Sequence, residues 1–333
     1  MQETSRLRLI EGGRGRDLAA LAGDVESGLT SSPKRLPCRY FYDHEGSLLF
    51  EAICRLPEYY VPQAERESLL RGAAEIVSCC PPGAVLIELG SGSATKTRIL
   101  IEAFLARQEA LRYIPIDISR TALEESSQGL LRDYPALDVT AIACEYQEGL
   151  ARLNGEADAP KLILWLGSNI GNLDRAEAAH FLQRVGGLMS PQDRLLVTID
   201  LRKDRVILHR AYDDSQGVTA RFNLNLLARV NRELGGHFDI ERFRHLAVYN
   251  EGPGRIEMYL VSTCAQKVRI DGLGIEVPFA EGEAIHTEDS YKYSLSEIDA
   301  LAEAADLLIQ RQWFDGNRHL SLNLLARREM SSR

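Results

Sequence analysis

The chain has 333 residues, of which 45% are hydrophobic, so it can bury a core large enough for one large or two modest domains. Its formal net charge of −9, with no block of basic residues, argues against a nucleic-acid or anionic-membrane partner. The six cysteines form no CxxC pair, and no apolar run resembles a signal peptide or a membrane span. We therefore expect a cytoplasmic protein without a metal site or a disulfide framework.

The first 61 residues contain two short predicted helices and an unusual group of aromatic residues. Residues 1–36 are polar, with one helix predicted near 17–27, and a second helix is predicted at 46–54. The aromatic side chains either pack this second helix onto the main domain or form a lid that places phenol hydroxyls over a ligand, and the sequence favours neither interpretation. The tyrosines of this segment are Tyr40, Tyr42, Tyr59 and Tyr60.

From residue 62 onward apolar strands alternate with amphipathic helices, which predicts a parallel, doubly wound α/β sheet. Ser119 is the expected cap of one helix, and Asp174 followed by Glu177 has the spacing of a capping box at the start of another. The predicted strands cover 84–89, 112–117, 138–143, 161–166 and 194–200, and the predicted helices cover 62–78, 95–107, 120–133 and 175–189.

A glycine turn follows the first core strand. Gly90 and Gly92 allow the chain to turn sharply and a ligand to approach the backbone, close to the N–H groups of the next helix. Asp117 ends the following strand, where it can accept hydrogen bonds from two ribose hydroxyls. Thr95 replaces the third glycine of a dinucleotide fingerprint, and the Gly-Lys-Ser/Thr ending of a P-loop is absent. S-adenosylmethionine fits best, and an NAD-type enzyme or an ordinary glycine turn are the alternatives at this point.

The pattern changes after the fifth strand. Residues 205–234 are mostly helical, and four strand-like runs follow, with Asp271–Gly272 as a hairpin signal, which predicts an antiparallel α+β insertion. A helix at 296–306 then leads to two strands joined at 315–317. A terminal antiparallel hairpin on a parallel sheet is expected of class I methyltransferases rather than of dehydrogenases. The strand-like runs are 244–250, 255–264, 267–271 and 274–279.

Several separated motifs stand out along the chain: FYDHEGSLLFEAICRLPEYYVPQAE, ELGSGSATKTR, PIDIS, LGSNIGNL, AYDDSQGVTARFNLNLLARVNRELG, GRIEMYLVS and IHTEDSYKYS. Together they make the chain similar, from about residue 31 to 326, to the L-histidine Nα-methyltransferases of ergothioneine biosynthesis. The resemblance implies a class I methyltransferase α/β fold with a Rossmann-like parallel sheet and a terminal hairpin, plus an α+β substrate-binding domain. We expect the S-adenosylmethionine-binding core at 62–203 and 293–331, the substrate-binding domain at 1–61 and 204–292, and a monomer.

The resemblance also implies which residues bind the cofactor. The matching glycine-loop positions hold S-adenosylmethionine, the matching acid binds its ribose, and a pair after the third strand flanks its adenine. This pair is Asp-Phe in the family and Glu145–Tyr146 here, so the contact with adenine can differ. The implied cofactor-binding residues are Gly90, Gly92, Lys96, Asp117, Glu145 and Tyr146.

On the substrate side the resemblance implies three roles. Tyr59, Asn172 and Tyr212 hold the α-carboxylate and orient the α-amine, Glu288 and Ser290 hold the imidazole, and Met258 packs against it. Tyr42 lies near the amine, so Tyr42 and Asn172 are the candidate catalytic residues. Three alternatives stay open: Asn172 caps the turn before the helix at 175–189, Met258 fills the core, or Glu288 is a solvated loop acid. Asn169 replaces a threonine of the family, which can change the bonding beside the amine.

The expected activity is S-adenosylmethionine-dependent trimethylation of the α-amine of L-histidine to hercynine, a step of ergothioneine biosynthesis. A relative acting on tryptophan or another aromatic amino acid is one alternative, and Glu288, Ser290 and Met258 together speak against it. A non-catalytic S-adenosylmethionine-binding protein is another, and the intact loop with its tyrosine set speaks against that. An NAD-dependent oxidoreductase is disfavoured by Thr95 and by the terminal hairpin.

Overall fold

The computed structural model describes residues 6–11, 16–152 and 159–328. None of the helices in these segments is long and apolar enough to cross a membrane. The chain divides into two compact units. The helices and strands, in chain order, are β1 (Leu7–Glu11), α1 (Arg16–Thr30), β2 (Lys34–Arg35), α2 (His44–Ile53), α3 (Val61–Ser78), β3 (Val85–Leu89), α4 (Arg98–Leu105), β4 (Leu111–Asp117), α5 (Arg120–Asp133), β5 (Leu137–Ala143), α6 (Tyr146–Arg152), β6 (Lys161–Trp165), α7 (Arg175–Leu188), β7 (Arg194–Asp200), α8 (Arg205–Tyr212), α9 (Val218–Leu234), β8 (Phe243–Asn250), β9 (Arg255–Ser262), β10 (Gln266–Ile270), β11 (Ile275–Phe279), β12 (Ala284–Tyr291), α10 (Leu295–Ala304), β13 (Leu307–Phe314) and β14 (Leu320–Arg327).

The first unit is built on an eight-stranded sheet with the order β1-β5-β4-β3-β6-β7-β14-β13. The first six strands pair in parallel, and β14 runs antiparallel to both β7 and β13. All five residues of β3 are buried, as the nearly continuous apolar sequence of this strand predicts. The predicted parallel α/β sheet with a terminal antiparallel hairpin is therefore confirmed.

Local capping signals set the starts of two helices in this unit. The Ser119 side chain accepts the Ala122 N–H at the start of α5, and Asp174 and Glu177 form a reciprocal capping box at the start of α7. Both predictions are confirmed. The prediction that a helix begins near residue 95 is wrong: α4 begins at Arg98, and Ala94 before it has a φ of 52°, which no helix contains.

The second unit contains α1, α2, α8, α9 and the strands β2 and β8–β12. Its four-stranded sheet has the order β2-β12-β9-β8, in which β12 and β8 are antiparallel to β9. Strands β10 and β11 form the hairpin predicted at Asp271–Gly272, with Ile270 opposite Ile275. The expected antiparallel α+β region is thus present in this part of the chain.

Four elements were not predicted: β1, β2, α6 and β12. Strand β1 pairs in parallel with β5, with Leu7 opposite Val139, and so belongs to the first unit. The predicted division assigned all of 1–61 to the substrate-binding domain, because the polar sequence around β1 gives no sign of a partner more than 100 residues away. The predicted boundary at 292/293 coincides with that of the two units, and the boundaries near 61 and 202 differ by one or two residues. Residues 329–331 of the predicted core lie outside the described segments.

Candidate active site

The glycine turn after β3 meets Asp117 at the end of β4. Gly90 and Gly92 have φ values of 75° and 49°, which glycine adopts without strain. The Gly92 N–H donates to Asp117 Oδ2 at 2.9 Å, and the Ser119 N–H donates to Asp117 Oδ1 at 2.9 Å. Burial raises the pKa of Asp117, and these backbone hydrogen bonds act in the opposite direction. A carboxylate has about four acceptor positions, so Asp117 can accept two further hydrogen bonds from a ligand.

Tyr146 lies directly over this turn. A Cβ atom on Gly90 would be 2.5 Å from the Tyr146 hydroxyl and 3.3 Å from Nδ2 of Asn169. The Tyr146 ring makes an edge contact with Trp165, at 6.5 Å between centroids, which sets its direction. The structure therefore brings Gly90 and Tyr146 together, with Asn169, the residue that replaces the family's threonine, beside them.

Lys96 is bound to a buried carboxylate that sequence reasoning missed. Its ammonium pairs with Glu65 of α3, which has 0% exposure. The other Glu65 oxygen accepts the Gly167 N–H at 2.6 Å and the Thr198 hydroxyl, at the loop after β6 and on β7. Lys96 is thus held to the carboxyl ends of the central strands. The available signal was the position of Glu65, four residues before Leu69 on the apolar face of α3.

Two further predicted residues of this unit lie near the same edge of the sheet. Glu145 directly precedes α6 and is exposed, and Asn172 ends the short 3₁₀ helix Asn169–Asn172 in a half-buried position. Helix α7 is capped by Asp174, and Asn172 lies in the turn before it. The ligand contacts predicted for Glu145 and Asn172 stay predictions.

The second unit contains a connected row of aromatic rings. Tyr42 contacts Phe50 of α2 edge to face at 5.5 Å, Phe50 contacts Tyr59 at 6.4 Å, and Tyr59 contacts Tyr212 at 6.1 Å. Tyr42 also packs against Phe222 of α9. Burial raises the pKa of Tyr59 well above its ordinary value, so its phenol stays neutral and can donate a hydrogen bond. The three predicted tyrosines therefore lie in one cluster, which also packs α2.

The three residues predicted to recognise the imidazole lie on neighbouring strands of this unit. Glu288 on β12 is opposite Met258 on β9, and a β-bulge lies between His286 and Glu288. Met258 is buried, and Ser290 Oγ lies 2.8 Å from the Tyr212 hydroxyl. Burial raises the pKa of Glu288 to about 7. Glu288 is therefore a half-buried strand residue, and the alternative of a solvated loop acid is wrong.

Sequence reasoning missed two residues that hold Tyr212. Lys292 donates to the Tyr212 hydroxyl at 2.8 Å and to Ser290 Oγ at 2.9 Å. The backbone carbonyl of Tyr212 lies 2.8 Å from His245 Nε2, which must be the donor because a carbonyl only accepts. Asn223 Nδ2 lies 2.9 Å from His245 Nδ1, and burial lowers the pKa of His245, so the ring is neutral. A lysine after a polar strand normally indicates an exposed position, and so no sequence signal marked Lys292.

The strand order and the turn facing Asp117 together define a class of protein. Class I S-adenosylmethionine-dependent methyltransferases have the strand order seen here, β5-β4-β3-β6-β7-β14-β13, with β14 antiparallel. They also have a glycine turn opposite an acid on the neighbouring strand. The profile of the histidine-specific, S-adenosylmethionine-dependent methyltransferases matches residues 21–327, and the chain belongs to this family.

Relatives agree with this assignment. The histidine N-alpha-methyltransferases of Mycobacterium tuberculosis and Mycolicibacterium smegmatis are each 41% identical over 308 residues, covering 92% of this chain and 95% of the relative. Ergothioneine biosynthesis protein 1 of Neurospora crassa is 32% identical over 99% of this chain and 38% of its own length. A 4-dimethylallyltryptophan N-methyltransferase of Arthroderma benhamiae is 30% identical, covering 87% of this chain and 88% of the relative. The predicted family is confirmed, and the NAD-dependent alternative is wrong.

Proposed function

We propose that the protein transfers three methyl groups in succession from S-adenosylmethionine to the α-amine of L-histidine. The product is hercynine, and the reaction is a step of ergothioneine biosynthesis. The observation that carries the proposal is the grouping of Glu288, Ser290 and Tyr212 in the second unit, since it combines an acceptor and hydroxyl donors beside the buried Met258. The 41% identity to two histidine N-alpha-methyltransferases supports the same substrate.

The residues of the first unit fit a nucleoside cofactor. Asp117 retains acceptor positions for two ribose hydroxyls. The absence of a side chain at Gly92, where a Cβ would meet no atom within 4 Å, leaves room for a ligand against the backbone. Lys96 and the Glu145–Tyr146 pair are the further proposed contacts. When bound, S-adenosylmethionine supplies an electrophilic methyl group on a positively charged sulfur.

The residues of the second unit fit an imidazole side chain. Glu288 would accept the N–H of one ring nitrogen, Ser290 would donate to the other, and Met258 would pack against the ring face. A benzene ring in this position would leave both polar groups without a partner. Sites that bind a substrate through such polar groups reject analogues without them by roughly 10⁴–10⁵.

The transfer itself requires an unprotonated amine aligned behind the methyl group. A free α-amine titrates near pH ~8, so a reactive fraction already exists at neutral pH. Alignment of two bound reactants can supply roughly 7–11 kcal/mol, and a strong general base is not required. Tyr59 would donate to the α-carboxylate and Tyr212 would lie beside it, with Asn172 as a contact proposed on resemblance alone. The proton would leave to solvent along a path formed by Tyr42, or by a water that Tyr42 and Asn172 hold.

The aromatic row of the second unit suits the product. A trimethylated amine is a cation without an N–H donor, and the faces of tyrosine rings attract such a charge. Tyr42, Tyr59 and Tyr212 present three such rings within one contact series. The same rings can therefore bind histidine and its methylated intermediates in turn.

The test is mass spectrometry of an equal mixture of free amino acids incubated with the protein and S-adenosylmethionine. We expect histidine to gain three methyl groups while tryptophan, tyrosine and phenylalanine stay unchanged. Methylation of tryptophan in place of histidine would overturn the substrate assignment but keep the cofactor. Methylation of none of the amino acids would overturn the proposed activity.

A further inference from the structure

Lys292 is a buried cation in contact with two residues of the proposed histidine site. It directly follows β12, and its N–H continues the strand pairing by donating to the Gly254 carbonyl at 2.7 Å. The residue is 1% exposed, and its ammonium lies 4.7 Å from the centroid of the Tyr212 ring. A buried ammonium is costly unless it is hydrogen bonded. Two groups that accept from the Lys292 ammonium are the hydroxyls of Tyr212 and Ser290, which both belong to the proposed site.

Lys292, Ser290 and Glu288 also share a direction along the chain. Side chains two residues apart on a strand point to the same face, and the β-bulge precedes Glu288, so the alternation from Glu288 to Ser290 is regular. Lys292 continues this alternation past the last residue of β12. The positive charge of Lys292 acts on Glu288 and lowers its pKa against the effect of burial. An acid, a hydroxyl and a cation thus follow one another along one face of the strand.

The hydrogen atoms in this cluster can be counted. The Lys292 ammonium, the Tyr212 hydroxyl and the Ser290 hydroxyl are mutually 2.8–2.9 Å apart. An ammonium only donates, so both oxygens accept from Lys292. The contact between the two hydroxyls uses the hydrogen of one of them. The hydrogen of the other must therefore point away from the three groups.

We propose that Lys292 is a positioning residue that makes the Tyr212–Ser290 pair an obligate hydrogen-bond donor to the substrate. In the arrangement that suits histidine, Tyr212 donates to Ser290, and Ser290 donates outward to the unprotonated ring nitrogen. Glu288 accepts the N–H of the other nitrogen. With Lys292 in place, a Ser290 hydroxyl that accepts from both Lys292 and Tyr212 has both lone pairs occupied and can only donate to the substrate. Without Lys292 one lone pair is free, and Ser290 could accept a ring N–H instead. This role rests on the proposed function and adds to it a reason for selecting one form of the imidazole, the neutral ring.

The test compares Lys292→Met with Lys34→Met as a matched control. Lys34 belongs to the same four-stranded sheet, has an ion pair with Glu283 at 2.5 Å and lies 5.2 Å from the Phe279 ring centroid, and it contacts none of the proposed site residues. For each variant, kcat and KM are measured for histidine and for phenylalanine at saturating S-adenosylmethionine. S-adenosylhomocysteine affinity is measured by calorimetry.

We expect Lys292→Met to raise the KM for histidine about 10- to 100-fold, as the loss of a hydrogen bond to a charged group does. The preference for histidine over phenylalanine should fall by a similar factor, with kcat and S-adenosylhomocysteine affinity changed far less. Lys292→Gln keeps an N–H donor and should recover part of the preference. Lys34→Met should leave the preference within about twofold of wild type. In a Ser290→Ala background, Lys292→Met should lower the preference for histidine much less than in the wild type, because the two residues act as a unit.

Each outcome decides between explanations. A preference for histidine that stays at the wild-type value in Lys292→Met would overturn the positioning role. If kcat/KM for both amino acids and the affinity for S-adenosylhomocysteine all fall by the same factor, Lys292 contributes to stability alone. If Lys292→Met does not fold, Lys292→Gln decides by the same ratio. Failure of the wild-type protein to methylate histidine in the same assay would instead overturn the proposed function, and this role with it.

Discussion

The two proposed ligand clusters are built in different ways. In the first unit the main chain makes the site: Gly90 and Gly92 shape the turn, and Asp117 is held by backbone N–H groups. In the second unit side chains make it, since the Tyr212 hydroxyl is held by Ser290 and Lys292. A site built from backbone suits a cofactor that many enzymes share. A site built from side chains can change its ligand by substitution, and therefore we place substrate selection there.

Removing the proposed imidazole acceptor should have the largest effect. Glu288→Ala should lower kcat/KM for histidine by about 100-fold or more. The ring N–H loses its acceptor, and Ser290 alone is left to recognise the imidazole. Steady-state kinetics with histidine and phenylalanine measure the change. Glu283→Ala is the control, since Glu283 pairs with Lys34 in the same unit. Equal losses for the two amino acids would contradict the proposed role of Glu288.

Removing the acid of the first unit should act on the cofactor instead. Asp117→Ala should weaken S-adenosylhomocysteine binding about 10- to 100-fold, because it removes hydrogen bonds to a charged acceptor and frees the Gly92 N–H. Calorimetry measures the affinity, and Asp138→Ala, at an exposed position of β5, is the control. An unchanged affinity in Asp117→Ala would show that the ribose is held elsewhere.

Two glycines with nearly the same φ allow the cost of backbone strain to be measured apart from the cost of a steric clash. Gly83 and Gly90 have φ values of 76° and 75°, but a Cβ on Gly83 meets no atom within 4 Å, whereas one on Gly90 meets the Tyr146 hydroxyl. Gly83→Ala should lower the free energy of unfolding by roughly 1–2 kcal/mol. Gly90→Ala should lower it by about 1–3 kcal/mol more and weaken cofactor binding. Chemical denaturation measures both, and equal costs would mean that Tyr146 moves freely.

The last prediction concerns the pH dependence of stability, which depends on one acid in each unit. Burial raises the pKa of both Glu88 and Glu288 from 4.5 to about 7. The folded protein therefore keeps protons that the unfolded chain releases, so each acid's contribution to stability is complete below pH 4.5 and is lost as the pH rises to about 7. Glu88→Gln and Glu288→Gln should each flatten this decline in denaturation experiments between pH 4.5 and 7. Added histidine should flatten only the part due to Glu288, and an equal effect on both would contradict the assignment.

Local sequence predicted the features that local interactions determine. The capping box of Asp174 and Glu177, the hairpin at Asp271 and the alternation of strands and helices each depend on residues a few positions apart. The same holds for the glycine turn, whose conformation only glycine adopts readily. These elements and the turn and acid proposed to bind the cofactor could therefore be predicted without a fold, whereas Lys96, Glu145 and Tyr146 came from the resemblance.

Other features depend on distant partners and could not be read in this way. Strand β1 is defined by pairing with β5, and β12 has a polar sequence that becomes a strand because β9 and β2 lie on either side of it. Glu288 and Ser290 were found by resemblance, since nothing in the composition of β12 indicates a buried site. Lys292 was missed because lysine is rarely buried, and only the surrounding hydroxyls explain its position.

The measurement that tests this account most directly is paired calorimetry of Glu288→Ala and Asp117→Ala. S-adenosylhomocysteine is titrated into each protein, and histidine is then titrated into the saturated complex. We predict that Glu288→Ala loses histidine affinity and keeps S-adenosylhomocysteine affinity, whereas Asp117→Ala does the reverse. Equal losses of both ligands in both variants would contradict the division of cofactor binding and substrate selection between the two clusters.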